Sequence, residues 1–320
     1  MKIVYMGTPA FACPPLAALA NSEHEIAAVV TGCDQKVGRG KKLCCSDVAD
    51  LAEQLHLRVL KPDSLKNEEL YDQLKQINPD LIVVIAFRIL PKKLFSLPQL
   101  GSINIHGSLL PKYRGAAPIN WALINGETET GLSAFYLKQK VDTGDVINQV
   151  AVSIENNDNF DSLYDKLSHQ ASRFLLETID LIEKNEAHPI PQDDRLATPA
   201  PKISPFDALI DFGFPAKKVN NFIRGMATKP GAYTFFRGKK LKIIEAVPTD
   251  YRDENFTRPG SIIKIKKQLV LQCADSALEI RQVIPEGKKQ MDGCSFINGF
   301  KPDPGEIMGE MPQESELRNE

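Results

Sequence analysis

Asn104 and His106 lie two residues apart in Ser102-Ile103-Asn104-Ile105-His106, and Asp142 follows in Val141-Asp142-Thr143-Gly144-Asp145. Residues two apart on a strand point to the same face. An amide donor and an imidazole therefore share one face at a strand end. Adding a carboxylate supplies what transfer of an acyl-like group to an amine needs. The amide steadies a developing oxyanion, the imidazole handles a proton, and the carboxylate orients the imidazole or relays protons. Each residue alone has a plainer reading. A histidine near a strand end commonly serves structure, Asn104 could close a turn, and Asp142 could belong to an Asx-turn.

These groups need a frame. The first half of the chain alternates strands and helices. Ile3–Met6 reads as a strand, Pro14–Ala20 as a helix and Ile26–Val30 as a strand. Ser46 caps a helix over 47–55, 58–60 is a short strand, and a helix over 67–77 ends at Asn78-Pro79. The unbroken apolar run Leu81–Ala86 predicts a strand buried on both faces. Ser102–His106 and Leu132–Leu137 are further strands. Such alternation implies a mostly parallel sheet flanked by helices, with ligands beyond the strands' carboxyl ends. Met6-Gly7, Ile89-Leu90-Pro91 and Asn104–His106 all fall at such ends. A long amphipathic helix is expected over 159–183, then a proline-rich stiff connector over 189–205. Beyond a helix over 216–224, short strands at 232–236, 240–246, 260–265, 268–273 and 278–283 suggest a small barrel.

Composition excludes several classes. The chain has 320 residues, 42% hydrophobic and 25% charged, as in ordinary globular proteins. It has no apolar run of about 18 residues, so no membrane span is expected. MKIVYMGTPAF lacks the order of a signal peptide. The six cysteines are scattered and form no metal or disulfide framework, which predicts free thiols and a cytoplasmic setting. Residues 205–304 carry 17 basic and 11 acidic side chains, a balance of +6 that suggests a polyanionic partner. Gly7-Thr8-Pro9 lacks the Gly-x-Gly-x-x-Gly of dinucleotide sites, and Gly38-Arg39-Gly40-Lys41-Lys42 lacks a P-loop frame. The cations of that second segment suit phosphate contacts, or simply a solvated loop.

Asn-x-His-x-Ser-Leu-Leu-Pro, Tyr113-Arg114-Gly115-Ala116-Ala117-Pro118-Ile119 and Asp142-Thr143-Gly144-Asp145 closely resemble the formyltransferases that use 10-formyltetrahydrofolate. Met6–Pro9, Gly38–Leu43, Ala200–Ile203 and Pro285–Lys289 extend the match nearly end to end. It is strongest to the members that act on methionyl-tRNA. The chain departs from the family at Gln35-Lys36-Val37, where Arg-Pro-Ala is usual.

The resemblance implies a Rossmann-like catalytic domain over 1–188, a proline-rich linker over 189–205, an OB-like tRNA-binding domain over 206–304 and an acidic tail over 305–320. It implies Asn104, His106 and Asp142 as catalytic residues. Phe87, Arg88, Ile89, Leu90, Pro91, Ser108, Leu109, Leu110, Pro111 and Val141 would line the folate pocket. Arg39, Lys41, Lys42, Arg114 and Lys202 would meet tRNA. The implied substrates are 10-formyltetrahydrofolate and initiator methionyl-tRNA, with no metal, no membrane and a monomeric state. The catalytic segment leaves a small-amine acceptor open, as well as simple hydrolysis of the formyl folate. A non-catalytic RNA-binding role is disfavoured by the intact triad.

Overall fold

The structure, a computed structural model, describes residues 1–33, 35–37, 42–255, 258–265 and 267–309. The chain enters β1 (Lys2–Gly7) at once, and α1 (Cys13–Ala20) and β2 (Glu25–Val30) follow. A short antiparallel hairpin, β3 (Gln35–Val37) with β4 (Lys42–Cys44), precedes α2 (Asp47–Gln54) and β5 (Val59–Leu60). Ser46 starts α2 by accepting a hydrogen bond from the Ala49 N–H at 3.1 Å. Asn67 does the same for α3 (Glu68–Ile77), and left-handed Asn78 ends that helix.

Next come β6 (Leu81–Ile85), α4 (Lys92–Phe95), β7 (Ser102–His106) and β8 (Arg114–Gly115). After α5 (Pro118–Ile124) the chain forms β9 (Glu129–Tyr136), β10 (Val146–Ser153), the long α6 (Phe160–Glu183) and β11 (Pro199–Ala200). The main sheet runs β10-β9-β7-β6-β1-β2-β5. From β7 to β5 its neighbours are parallel, whereas β9 and β10 join antiparallel. This is the mostly parallel sheet expected from the alternation, in the Rossmann-like arrangement that the family resemblance implies. The five residues of β6 are all buried, as an unbroken apolar run on a parallel strand should be. β7 is clamped on both sides: Asn104 pairs with Val84 and Phe135, and His106 with Ser133.

The chain divides into two units. The first comprises Met1–Pro118, Glu129–Ser153 and Leu163–Pro201. The second comprises Ile119–Thr128, Ile154–Ser162 and everything from Lys202. It contains α7 (Ala216–Met226), β12 (Tyr233–Phe236), β13 (Lys239–Thr249), β14 (Ile262–Ile265), β15 (Gln268–Gln272), β16 (Ala277–Pro285), β17 (Met291–Asp292) and α8 (Gly293–Phe300). Its antiparallel sheet runs β12-β13-β16-β15-β14. Register shifts around Glu245 mark bulges in β13, which bend a strand and favour the curvature of an OB-like half-barrel. Val219, Ile223, Met226, Leu241, Ile243, Ile280 and Phe296 share its core.

Candidate active site

β7 delivers Asn104 and His106 to one face at its carboxyl end, as their spacing requires. His106 is 7% exposed and Asp142 is 9% exposed, so both act in a largely dry setting. The His106 ring is held by the Tyr113 carbonyl, 2.8 Å from Nε2. A carbonyl only accepts, so Nε2 carries a proton and donates. Nδ1 then faces Asp142 Oδ2 at 3.9 Å, beyond hydrogen-bond range but close enough for charge attraction. The expected orienting bond from Asp142 to the imidazole is thus supplied by the Tyr113 carbonyl instead. Nδ1 is the nitrogen left to gain or lose a proton.

Asp142 is placed by its own contacts. Its φ of 53° lies in the left-handed region, which aspartate tolerates better than most residues. Oδ2 accepts from the Gly115 N–H at 2.9 Å. The Thr143 hydroxyl donates to the Lys140 carbonyl at 2.8 Å. Gly144 is required by close approach, since a Cβ there would overlap the Tyr136 carbonyl. Asn104 Oδ1 is buried without a hydrogen-bond partner. With its oxygen turned inward, the carboxamide keeps its N–H donors for a ligand.

The residues expected around folate differ in exposure. Ser108, Leu90 and Leu110 are buried, and the Ser108 hydroxyl donates to the Lys112 carbonyl at 2.7 Å, so these three shape the loops from beneath. Ile89 and Val141 are 73% and 46% exposed. Phe87, Pro91, Leu109 and Pro111 are half-buried. Arg88 is exposed and donates to the Pro62 and Asp63 carbonyls at 3.0 and 3.2 Å. Exposed apolar side chains beside turn backbone suit a flat heterocycle.

Of the cations expected to meet tRNA, Arg39 and Lys41 lie outside the described residues, and Lys42 is described only as part of β4. Lys202 is exposed. Arg114 is engaged internally. Its Nε and Nη2 donate to Gln192 Oε1 at 3.0 and 2.8 Å, and Nη1 pairs with Asp194 at 2.7 Å. That hydrogen bond holds the Asp194 carboxyl below the usual carboxylate range.

Sequence reasoning passes over the groups that hold the loops. Ser133, opposite His106 in register, accepts from the Leu110 N–H at 2.9 Å and donates to the Ser108 carbonyl at 2.6 Å. Gln149 donates to the Leu110 carbonyl and the Ser133 hydroxyl at 2.9 and 2.7 Å. Their one advance signal is placement on strands flanking the Ser-Leu-Leu-Pro loop. Among the described residues, His24, Asp180 and Glu183 have ligand atoms within 4.8 Å of one another. The amino terminus already contacts His24 at 3.3 Å and Glu183 at 3.4 Å, which gives that group an internal role. No helix among the described residues is long and apolar enough to cross a membrane.

Residues 1–179 match the formyl transferase domain, and residues 202–301 match the formyl transferase C-terminal domain. The methionyl-tRNA formyltransferase of Caldanaerobacter subterraneus subsp. tengcongensis is 42% identical over 310 residues, covering 96% of this chain and 100% of the relative. Among solved structures, a Helicobacter canadensis N-formyltransferase, in complex with folinic acid and dTDP-3-aminofucose, covers 89% of this chain and 100% of its own at 21% identity, TM-score 0.67. The methionyl-tRNA formyltransferase from Clostridium thermocellum covers 79% of this chain and 95% of its own at 18% identity, TM-score 0.55. At those identities the structures speak to the fold, and the likeness in sequence carries the family. The chain belongs to the formyl transferase family, in its methionyl-tRNA formyltransferase branch.

Proposed function

We propose that this chain transfers the formyl group of 10-formyltetrahydrofolate to the α-amine of initiator methionyl-tRNA in the cytoplasm. The observation that carries the chemistry is the carboxyl end of β7. There a carboxamide with an inward, unpartnered oxygen sits two residues from an imidazole fixed through Nε2, with a carboxylate beyond Nδ1.

The amine lone pair attacks the formyl carbon, the carbonyl electrons move to oxygen, and that pair then re-forms the carbonyl as the C–N bond to the folate breaks. Asn104 donates a hydrogen bond to the oxygen that becomes negative. His106, protonated, adds positive charge there through the face carrying Nδ1, with the Asp142 carboxylate beyond that nitrogen. Asp142 takes up, through water, the proton released by the attacking nitrogen and returns it to the departing folate nitrogen, so no net proton is gained or lost. Every step is acid–base and electrostatic, and no covalent intermediate with the protein is needed.

Ile89 and Val141 offer the pterin apolar surface, and the backbone of 87–91 offers it donors and acceptors. The basic C-terminal unit, with Lys202, Arg39, Lys41 and Lys42, meets the phosphates of tRNA, and the chain works as a monomer. The deciding assay uses purified protein and formyl folate with three acceptors: initiator methionyl-tRNA, elongator methionyl-tRNA and a small free amine. Preferential formylation of the initiator is expected. Equal or better use of the small amine would overturn the assignment of acceptor.

A further inference from the structure

The segment between α6 and the second unit holds a group that belongs to the active centre. Gln192 Nε2 donates to the Asp142 carbonyl at 3.0 Å and to the Gly144 carbonyl at 2.8 Å. Its Oε1 accepts two bonds from Arg114. A carboxamide has two N–H donors and two lone pairs on oxygen, so all four capacities are filled. The orientation is also forced. Arg114 only donates and the two carbonyls only accept, so flipping the amide would oppose like groups on both sides.

Gln192 therefore grips the Asp142–Gly144 turn by its backbone, on both sides of Thr143. The other end of the grip is the β8 strand, whose Gly115 N–H binds the Asp142 carboxylate. The same segment fixes the second partner of the imidazole. Thr198 Oγ1 accepts from the Tyr113 N–H at 2.9 Å, and Tyr113 supplies the carbonyl that holds His106. β11 then continues the contact as a parallel pair with β8.

We propose that Gln192 is a positioning residue for Asp142: it sets the carboxylate against His106 Nδ1 by holding the Asp142 and Gly144 carbonyls. The inference rests on the proposed role of Asp142 in formyl transfer. The donors and acceptor of Gln192 are all engaged within the protein, so its effect falls on kcat and passes through Asp142.

The test measures kcat, both KM values and thermal stability in the full-length protein. The variants are Gln192→Met, Gln192→Glu, Asp142→Ala and each Gln192 change combined with Asp142→Ala. Gln192→Met should lower kcat about tenfold, in the range that small misplacements of a catalytic group produce, with both KM values within about twofold. Gln192→Glu still accepts from Arg114 but cannot donate to the carbonyls, so it should lose as much kcat as the Met variant. In the Asp142→Ala background either Gln192 change should lower kcat less than about twofold, because the group it positions is gone.

A Gln192→Met variant with parental kcat would overturn the proposal. So would recovery of kcat by Gln192→Glu, which would assign the effect to the Arg114 contact alone. An equal fold loss with and without Asp142 would overturn it too. If the Met variant does not fold, Gln192→Glu carries the same comparison, since it retains the Arg114 partnership. Full activity of Asp142→Ala alone would instead break the assigned chemistry, a separate failure.

Discussion

The end of β7 and the turn at Asp142 bring catalytic groups to one place by different means. β7 is laddered to β6 on one side and β9 on the other, so Asn104 and His106 inherit their positions from the sheet. Asp142 has no such ladder. Its position comes from one backbone N–H, a glycine beneath the Tyr136 carbonyl, and a glutamine fifty positions along the chain. Sheet-borne groups are secured by many small, redundant interactions. Loop-borne groups depend on a few specific ones, and single substitutions far from the chemistry can release them.

Perturbations at the two regions should therefore differ in kind. The largest effect is expected from Asn104→Ala, which removes the oxyanion donor while the ladder keeps the strand: kcat should fall ~10²–10³-fold with folate binding retained. Near-parental turnover would take the oxyanion role away from β7. Gly144→Ala comes next. The added methyl forces the Asp142 turn away from the Tyr136 carbonyl, and kcat should drop by roughly one to two orders of magnitude. A crystal structure of this variant with an unmoved Asp142 would contradict the account of the turn.

Replacing Ile89 or Val141 with Asp tests the apolar surface between the regions. Removing one aliphatic side chain from the pterin face, worth about 1.5 kcal/mol, should raise the KM for formyl folate about tenfold and spare kcat. Unchanged KM would move the pterin elsewhere. Neutralising Arg39, Lys41 and Lys42 together should weaken use of methionyl-tRNA and flatten its salt dependence by about 0.7–0.9 in log-log slope for each phosphate no longer neutralised. An unaltered slope would make them solvated charges. The smallest effect, about 1 kcal/mol of stability without change in kcat, belongs to Ser46→Ala, which removes the α2 cap. A thermal scan beside the activity assay reads both.

Much of this frame is legible in the sequence because its signals are local. Ser46 and Asn67 announce helix starts by their side-chain chemistry, and Asn78-Pro79 announces an end. The bounds of β7 agree with the sequence reading residue for residue. β10 escapes that reading, although Val146–Ser153 is a full strand. Its polar residues and half-exposed edge position blur the alternation that reveals a strand. α5 escapes it because the chain turns helical directly at Pro118, inside a glycine-containing loop motif.

At the site, residue types and family likeness point to Asn104, His106 and Asp142, and the structure sets the imidazole of His106 3.9 Å from the Asp142 carboxylate. What holds them is not legible. The Tyr113 carbonyl and the Gly115 N–H are backbone groups and carry no side-chain signal. Gln192 and Thr198 lie in a segment whose prolines suggest only a stiff spacer, whereas β11 pairs it with β8 and their hydrogen bonds tie it to Tyr113 and Asp142. Long-range pairings of this kind have no local pattern to read.

The makeup of the second unit bears on the order in which the protein can be built. Ile119–Thr128 and Ile154–Ser162 belong to it, yet they are synthesised well before the residues they join. The Asn120 side chain waits for the Gly225 carbonyl, and the Glu155 and Asp158 carbonyls wait for the Arg224 guanidinium. At ordinary elongation rates that interval is on the order of ten seconds. For that time the nascent chain holds apolar residues such as Ile124 without their helix α7, and the second unit cannot complete its core until Met226 and then the later strands and Phe296 have emerged. Assembly of the second unit is thus a late event, gated by the ribosome finishing a part of the chain that follows the catalytic strands in sequence.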